Sequence, residues 1–110
     1  MPAAGTLTRL ELPGGPGIRV DTAMVPGAVV PPYYDSMIAK IVAHARTRPA
    51  AVARMERALG ETRIEGVKTT VEFCRDVMRA DEFRRGGVRV AWLKRDFIPR
   101  RAGRADAAAV

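Results

Sequence analysis

The chain of 110 residues has the length of one compact domain, and its 47% hydrophobic and 28% charged residues are the balance of an ordinary soluble globular protein. Nineteen basic against twelve acidic residues leave a net charge of +7, and no run approaches the roughly 20 apolar residues that a bilayer-spanning helix needs. One cysteine, Cys74, and one histidine, His44, exclude an internal disulfide and a zinc site of the usual Cys/His type built from this chain alone.

Ser36 is the only serine. It stands eight residues from His44 in what reads as one extended segment, about 26 Å at strand rise, so a Ser-His-Asp arrangement is not expected. Met1–Gly5 shows no basic stretch leading into an apolar run, so no secretory leader is expected and the cytoplasm is the expected location. Sixteen of the nineteen basic residues are arginine, and residues 94–110 hold five basic against two acidic side chains. A basic tail of this kind can neutralise phosphates. Its Ala107-Ala108-Ala109 run reads more simply as a solvated, frayed terminus, and nucleic acid is not an expected partner.

In chain order, residues 5–12 alternate, with Leu10 and Leu12 on one face and Arg9 and Glu11 on the other, which predicts a half-buried strand. Pro13-Gly14-Gly15-Pro16-Gly17 must end it. Ile18-Arg19-Val20-Asp21-Thr22 alternates again, and the first two strands are expected to pair antiparallel. Pro26-Gly27 marks a turn, and Pro31-Pro32 enforces an extended approach. Residues 36–43 are mostly apolar and predict a third strand, buried on both faces except at Lys40; a helix here is the alternative. Val52, Met55 and Leu59 recur at helical spacing behind Pro49, predicting a helix over 49–59. Ile64-Glu65-Gly66-Val67 is a short extended piece. Thr69-Thr70-Val71-Glu72 matches a capping box, with the Thr69 hydroxyl accepting from the Glu72 amide. Phe73, Val77 and Met78 give the second helix its apolar face, and Cys74 reads as core. Gly86-Gly87 breaks the chain before a last element anchored by Val90, Trp92, Leu93, Phe97 and Ile98. The sum is an α+β domain: a small antiparallel sheet of three or more strands with two helices packed on it, over residues 1–98, and a basic, Ala-rich tail over 99–110 that is expected to be disordered.

Two segments carry a resemblance. Pro13-Gly14-Gly15-Pro16-Gly17-Ile18-Arg19-Val20-Asp21-Thr22 is similar to the string Pro-Gly-Gly-x-Gly-Val-Arg-x-Asp/Glu-Ser/Thr, and Val30 through Lys40 is similar to Pro-Pro-Tyr-Tyr-Asp-Ser-Met-Ile-x-Lys. Both strings belong to the C-terminal domain of biotin carboxylase, the enzyme unit of acetyl-CoA, propionyl-CoA and pyruvate carboxylases. Arg54-Met55-Glu56-Arg57-Ala58-Leu59, Ile64 through Thr70, and Phe83-Arg84-Arg85-Gly86-Gly87 also resemble family segments, in register, over about residues 5–93.

The resemblance implies an ATP-dependent ligase that activates bicarbonate with MgATP and carboxylates biotin held on a carrier protein, in fatty acid biosynthesis among other settings. ATP, magnesium and biotin would be cofactors of the complete enzyme, none of them bound by this chain alone. The ATP-grasp portion, the metal-binding carboxylates and the biotin-facing arginine lie upstream of the matching string in the family, so this chain is expected to be inactive in isolation and to act with an ATP-grasp portion in cis or in trans. No catalytic set is complete in this chain.

Asp35 matches an aspartate near the biotin site that resembles an arginine-positioning residue; a local cap is the structural alternative. Tyr34 and Lys40 are the other candidates for the biotin-site edge. Lys40 interrupts an apolar strand and needs a partner, either Asp35 or an ATP-grasp carboxylate. Arg19 matches a position at the bacterial homodimer interface and reads otherwise as an exposed strand arginine. Pro16 stands where many bacterial relatives carry an interfacial phenylalanine. The glycines at 14, 15 and 17 resemble a phosphate cradle but lack a following helix N-terminus, which favours a turn. The implied partners are the ATP-grasp portion, the biotin carboxyl carrier protein and a second copy of the chain. A stand-alone, non-catalytic module that docks on carboxylase subunits is the alternative reading.

Overall fold

The computed structural model describes residues 5–30 and 38–102. The chain divides into two compact units, Met1–Arg79 and Ala80–Val110.

The first unit contains six strands: β1 (Gly5–Thr6), β2 (Arg9–Glu11), β3 (Ile18–Asp21), β4 (Val29–Val30), β5 (Lys40–Ala43) and β6 (Arg63–Glu65). Its helices are α1 (Arg48–Glu61) and α2 (Val71–Arg79). The α+β architecture and antiparallel pairing hold, with the strands distributed over three two-stranded ladders: β1 with β4, β2 with β6, and β3 with β5.

The predicted pairing of the first two strands does not occur. The alternation over residues 5–12 correctly marks extended chain, but the Pro13–Gly17 turn does not fold it back on itself. Instead the segment changes partner at Leu7 and Thr8. The Leu7 amide donates to Ala28 O (2.9 Å), and the next amide, Thr8, donates to Glu65 O (2.9 Å). Leu7 is fully buried at this crossing. The approach is so close that a Cβ at Gly66, where φ is +102°, would lie 1.9 Å from Thr6 O. Only glycine satisfies both the left-handed backbone and the contact.

Of the third predicted strand, residues 36–37 lie outside the described residues; Lys40–Ala43 is a strand, half-buried with exposure alternating along it, where burial on both faces was expected. Pairing with β3 alone explains this: Ile41 opposes Val20 and Ala43 opposes Ile18 on the inner side, leaving Lys40 and Val42 outward.

Helix α1 exceeds its predicted span by one residue at the start and two at the end. Thr47 caps it, its hydroxyl accepting from the Ala50 amide (3.3 Å), and Pro49 sits in the first turn, where a missing N–H costs nothing. Val52, Ala58 and Leu59 are its buried residues. The helix packs against β3, β5 and α2, and with Leu7, Val30 and Val77 these side chains form the core of the unit. Thr62, the one buried polar residue among those described, donates its hydroxyl to Ala58 O (2.8 Å). At the start of α2 the Thr69 hydroxyl accepts from the Val71 amide (3.3 Å) in place of the Glu72 amide, because the first helical bond already runs from Cys74 N–H to Thr70 O (2.8 Å).

The second unit contains α3 (Asp81–Arg85), which sequence reading did not anticipate, and α4 (Val90–Trp92). The latter runs into a π turn, Leu93–Phe97, closed by the Ile98 amide on Leu93 O, and helical backbone continues over 98–102. Pro99 accounts for the irregularity. It cannot donate, and in a regular turn its ring would strike the carbonyl four residues back, so the helix widens just ahead of it. Phe97 is 1% exposed and its ring lies 5.1 Å from that of Trp92.

Candidate functional site

Of the candidate positions on the first unit, Arg19 and Lys40 lie on the β3–β5 ladder and Pro16 on the turn before β3. Tyr34 and Asp35 lie outside the described residues. The chain on both sides of them is anchored. Val30 is 1% exposed on β4. At the other end, the Thr22 hydroxyl donates to Ile38 O (2.6 Å) and accepts from the Met24 amide (3.0 Å). Thr22 thus ties the end of β3 to the residues entering β5.

Lys40 opposes Asp21 across the ladder. It is exposed, in contrast to the partly buried ammonium expected, because the outer face of this two-stranded ladder is uncovered within the unit. Two residues before Asp21, on the same face, Arg19 makes a two-pronged pair with it: Nε to Oδ1 and Nη2 to Oδ2, both 3.0 Å. The guanidinium hydrogen bonds hold the Asp21 carboxyl below its usual range, with Lys40 adding in the same direction. With the Arg19 side chain 74% exposed, solvent screens this pair, and its effect is to aim the guanidinium more than to stabilise the fold. Arg19, Asp21 and Lys40 therefore form one outward-facing charged strip. Pro16 is exposed on the preceding turn, so both Arg19 and Pro16 are placed where another surface can reach them.

The glycine-rich turn is not an anion cradle. At Gly17, where φ is +76°, the space a side chain would take is filled by the Arg54 guanidinium and by His44 O. Arg54 Nη1 donates to that same carbonyl (2.7 Å), and the His44 amide donates to Gly17 O (2.7 Å). The turn is closed by its own chain, as the strand-to-strand reading implied. Arg9 completes a further surface network, pairing with Glu11 on its own strand and with Glu65 (3.3 Å) opposite it on β6. Among the described residues no group of three or more His, Cys, Asp or Glu side chains is placed to hold a metal ion. No helix among them is long and apolar enough to cross a membrane.

Sequence reading missed one cluster, in the second unit. The Glu82 carboxylate accepts from both arms of Arg100 (2.9 and 3.3 Å) and from Trp92 Nε1 (3.3 Å). The Arg100 hydrogen bonds, then Glu82's own amide at the start of α3, then the indole lower its pKa to about 2. The partners stand 10 and 18 residues from Glu82, beyond the Gly86-Gly87 turn and on other elements, so no pattern within one element announced them.

Comparison with known proteins agrees with the segment resemblances. The biotin carboxylase C-terminal domain family matches residues 1–95. The chain is 43% identical over 95 residues to a biotin carboxylase of Allochromatium vinosum and 45% identical over 94 residues to biotin carboxylase 1 of Bacillus subtilis, covering 86% of this chain and 21% of each relative. Among solved structures, the biotin carboxylase domain dimer of Hydrogenobacter thermophilus 2-oxoglutarate carboxylase, in complex with MgADP, ADP and bicarbonate, superposes with a TM-score of 0.81 at 42% identity, over 84% of this chain and 20% of that one. Campylobacter jejuni biotin carboxylase superposes with a TM-score of 0.82 at 36% identity, over 86% and 21%. The chain spans about a fifth of the length of these relatives.

Proposed function

Because the chain belongs to the biotin carboxylase C-terminal domain family, we propose that it completes, with an ATP-grasp portion in cis or in trans, an enzyme that carboxylates biotin at the expense of ATP. One observation carries the reading. The family matches residues 1–95, a stretch that takes in the glycine-rich turn, the ladders and helices α1 and α2, and two biotin carboxylases are 43–45% identical over 94–95 residues. In this role the chain contributes surface and positioning, while MgATP and bicarbonate are handled by the ATP-grasp portion.

We assign Tyr34, Asp35 and Lys40 to the edge of the biotin site. Thr22 supports this placement by holding Ile38, two residues ahead of Lys40. Asp35 is suited to hold an arginine of the ATP-grasp portion in a bidentate pair. Arg19 and Pro16 belong to a surface that meets a second copy, in keeping with the outward aim that Asp21 gives the guanidinium. The exposed Val25, Val29 and Val42 supply apolar area of the kind a docked domain covers. A carrier protein presenting biotin is the remaining partner, and the cytoplasm the setting.

The reading is tested by expressing the chain with the rest of the Bacillus subtilis relative as a separate polypeptide. Co-purification and biotin-dependent phosphate release, absent from either piece alone, are the expected result. Stable association without activity would instead mark the chain as a non-catalytic module that docks on carboxylase subunits. Failure to associate would remove both.

A further inference from the structure

The second unit holds an open cleft of about 420 Å³ at the Gly86-Gly87 turn, lined by three arginines, Arg85, Arg89 and Arg95. All three are exposed, and none has an ion-pair partner among the described residues. Positive φ values at Gly86 (+87°) and Gly87 (+77°) turn the chain sharply after α3. Arg85 therefore stands on one side of the turn and Arg89 on the other, while Arg95 follows Arg89 by six residues. Two acidic residues also line the space. Glu82 is neutralised by both arms of Arg100, which leaves Asp96 as the only uncompensated negative charge against three positive ones.

Three arginines lining one concavity carry like charges that repel one another, and an anion placed between them relieves that repulsion. Each offers a planar fork matched to pairs of oxygens. A single carboxylate, with two oxygens, cannot occupy three forks, whereas a chain of phosphates can. Val88, Ala91 and Trp92 line the rest of the cleft with apolar surface.

We infer that this cleft is a binding site for a di- or triphosphate anion, held by Arg85, Arg89 and Arg95. The site lies wholly within the second unit and does not depend on the carboxylase reading: a chain that fails to complement the carboxylase can still bind, and the reverse.

Trp92 is the only tryptophan in the chain and lines the cleft, so its emission reports on this place alone. Inorganic pyrophosphate is titrated into the full chain, with binding followed by calorimetry and by Trp92 fluorescence. The expected result is saturable binding on both readouts. Removing two of the three forks in R89Q/R95Q raises the Kd about tenfold or more. R46Q, an equally exposed arginine on the first unit, leaves it unchanged. Circular dichroism establishes that the variants fold, and since the replaced side chains are exposed they leave no core cavity. Absence of saturable heat, heat without a change in Trp92 emission, or equal weakening by R46Q overturns the assignment.

Discussion

The Arg54 guanidinium donates a 2.7 Å hydrogen bond to the main-chain carbonyl of His44, and through it α1 is tied to the residue that follows β5. The same carbonyl lies against Gly17, whose own carbonyl accepts from His44 N–H (2.7 Å). The glycine-rich turn, the end of the ladder and the helix thus meet at one point. The turn's placement, and with it the outward position of Pro16 and Arg19, depends on that junction.

Gly17→Ala is therefore expected to be costly. The added Cβ would lie 2.1 Å from Arg54 Nη1, which can move, and 2.4 Å from His44 O, which cannot move without shifting the strand. With φ at +76° the backbone is unfavourable for alanine as well. We expect a loss of about 2–4 kcal/mol. Gly14→Ala, where the new Cβ meets nothing within 4 Å, should stay within about 0.5 kcal/mol. Urea unfolding of both variants measures the difference.

Gly66→Ala tests the strand crossing. Its Cβ would stand 1.9 Å from Thr6 O and 2.9 Å from Thr8 N, both main-chain atoms. Relief requires the crossing chain to move off β6 and to uncover Leu7. A loss of about 3 kcal/mol or more is expected, read as a fall in Tm of roughly 12 °C or more for a domain of this size. Unchanged melting would show that the crossing is not as close as described.

Glu82 gives a pH dependence with a definite sign. Its folded pKa is lowered from 4.5 to about 2, first by Arg100. The stability it contributes is present above pH 4.5 and is lost as pH falls from there toward 2. The Glu82 carboxyl carbon, followed by NMR, should titrate near 2 in the native chain. In R100Q its midpoint should rise toward the ordinary glutamate range near 4.3.

How much of this was legible in the sequence follows from the range over which each signal acts. Period-2 and period-3.6 patterns located extended chain at Arg9–Glu11 and Ile18–Asp21 and the helices at α1 and α2, because those patterns reflect which side of one element is buried. Strand partners were not legible. Arg9 opposes Glu65 and Asp21 opposes Lys40 across long loops, and nothing in the Pro13–Gly17 turn says whether the flanking strands fold back on each other. The π turn at Leu93–Phe97 was not legible either, since widening one turn of helix ahead of Pro99 leaves no periodic signal over so few residues. Of the candidate site, Arg19 was legible as an exposed strand arginine. Its partner Asp21 was visible as a same-face neighbour two residues on but was not singled out. The Glu82–Arg100 pair had no local signature.

Asp35 is the residue whose role the family reading makes most specific. In a complete enzyme carrying this domain, Asp35→Asn is expected to lower biotin-dependent turnover about tenfold or more, since the neutral amide cannot hold an arginine in a charge-assisted bidentate pair. Glu61→Gln, which releases only the exposed Arg57 on α1, should leave turnover per assembled active site within about twofold, because exposed pairs contribute little. Steady-state phosphate release with free biotin separates the two variants.

The most direct measurement replaces the matching C-terminal segment of Bacillus subtilis biotin carboxylase 1 with residues 1–95 of this chain and follows biotin-dependent phosphate release from ATP. If this chain completes a biotin carboxylase, the chimera turns over within about tenfold of the parent, a barrier difference of no more than about 1.4 kcal/mol. A chimera that folds and binds ATP, yet releases no phosphate in response to biotin, would contradict the account.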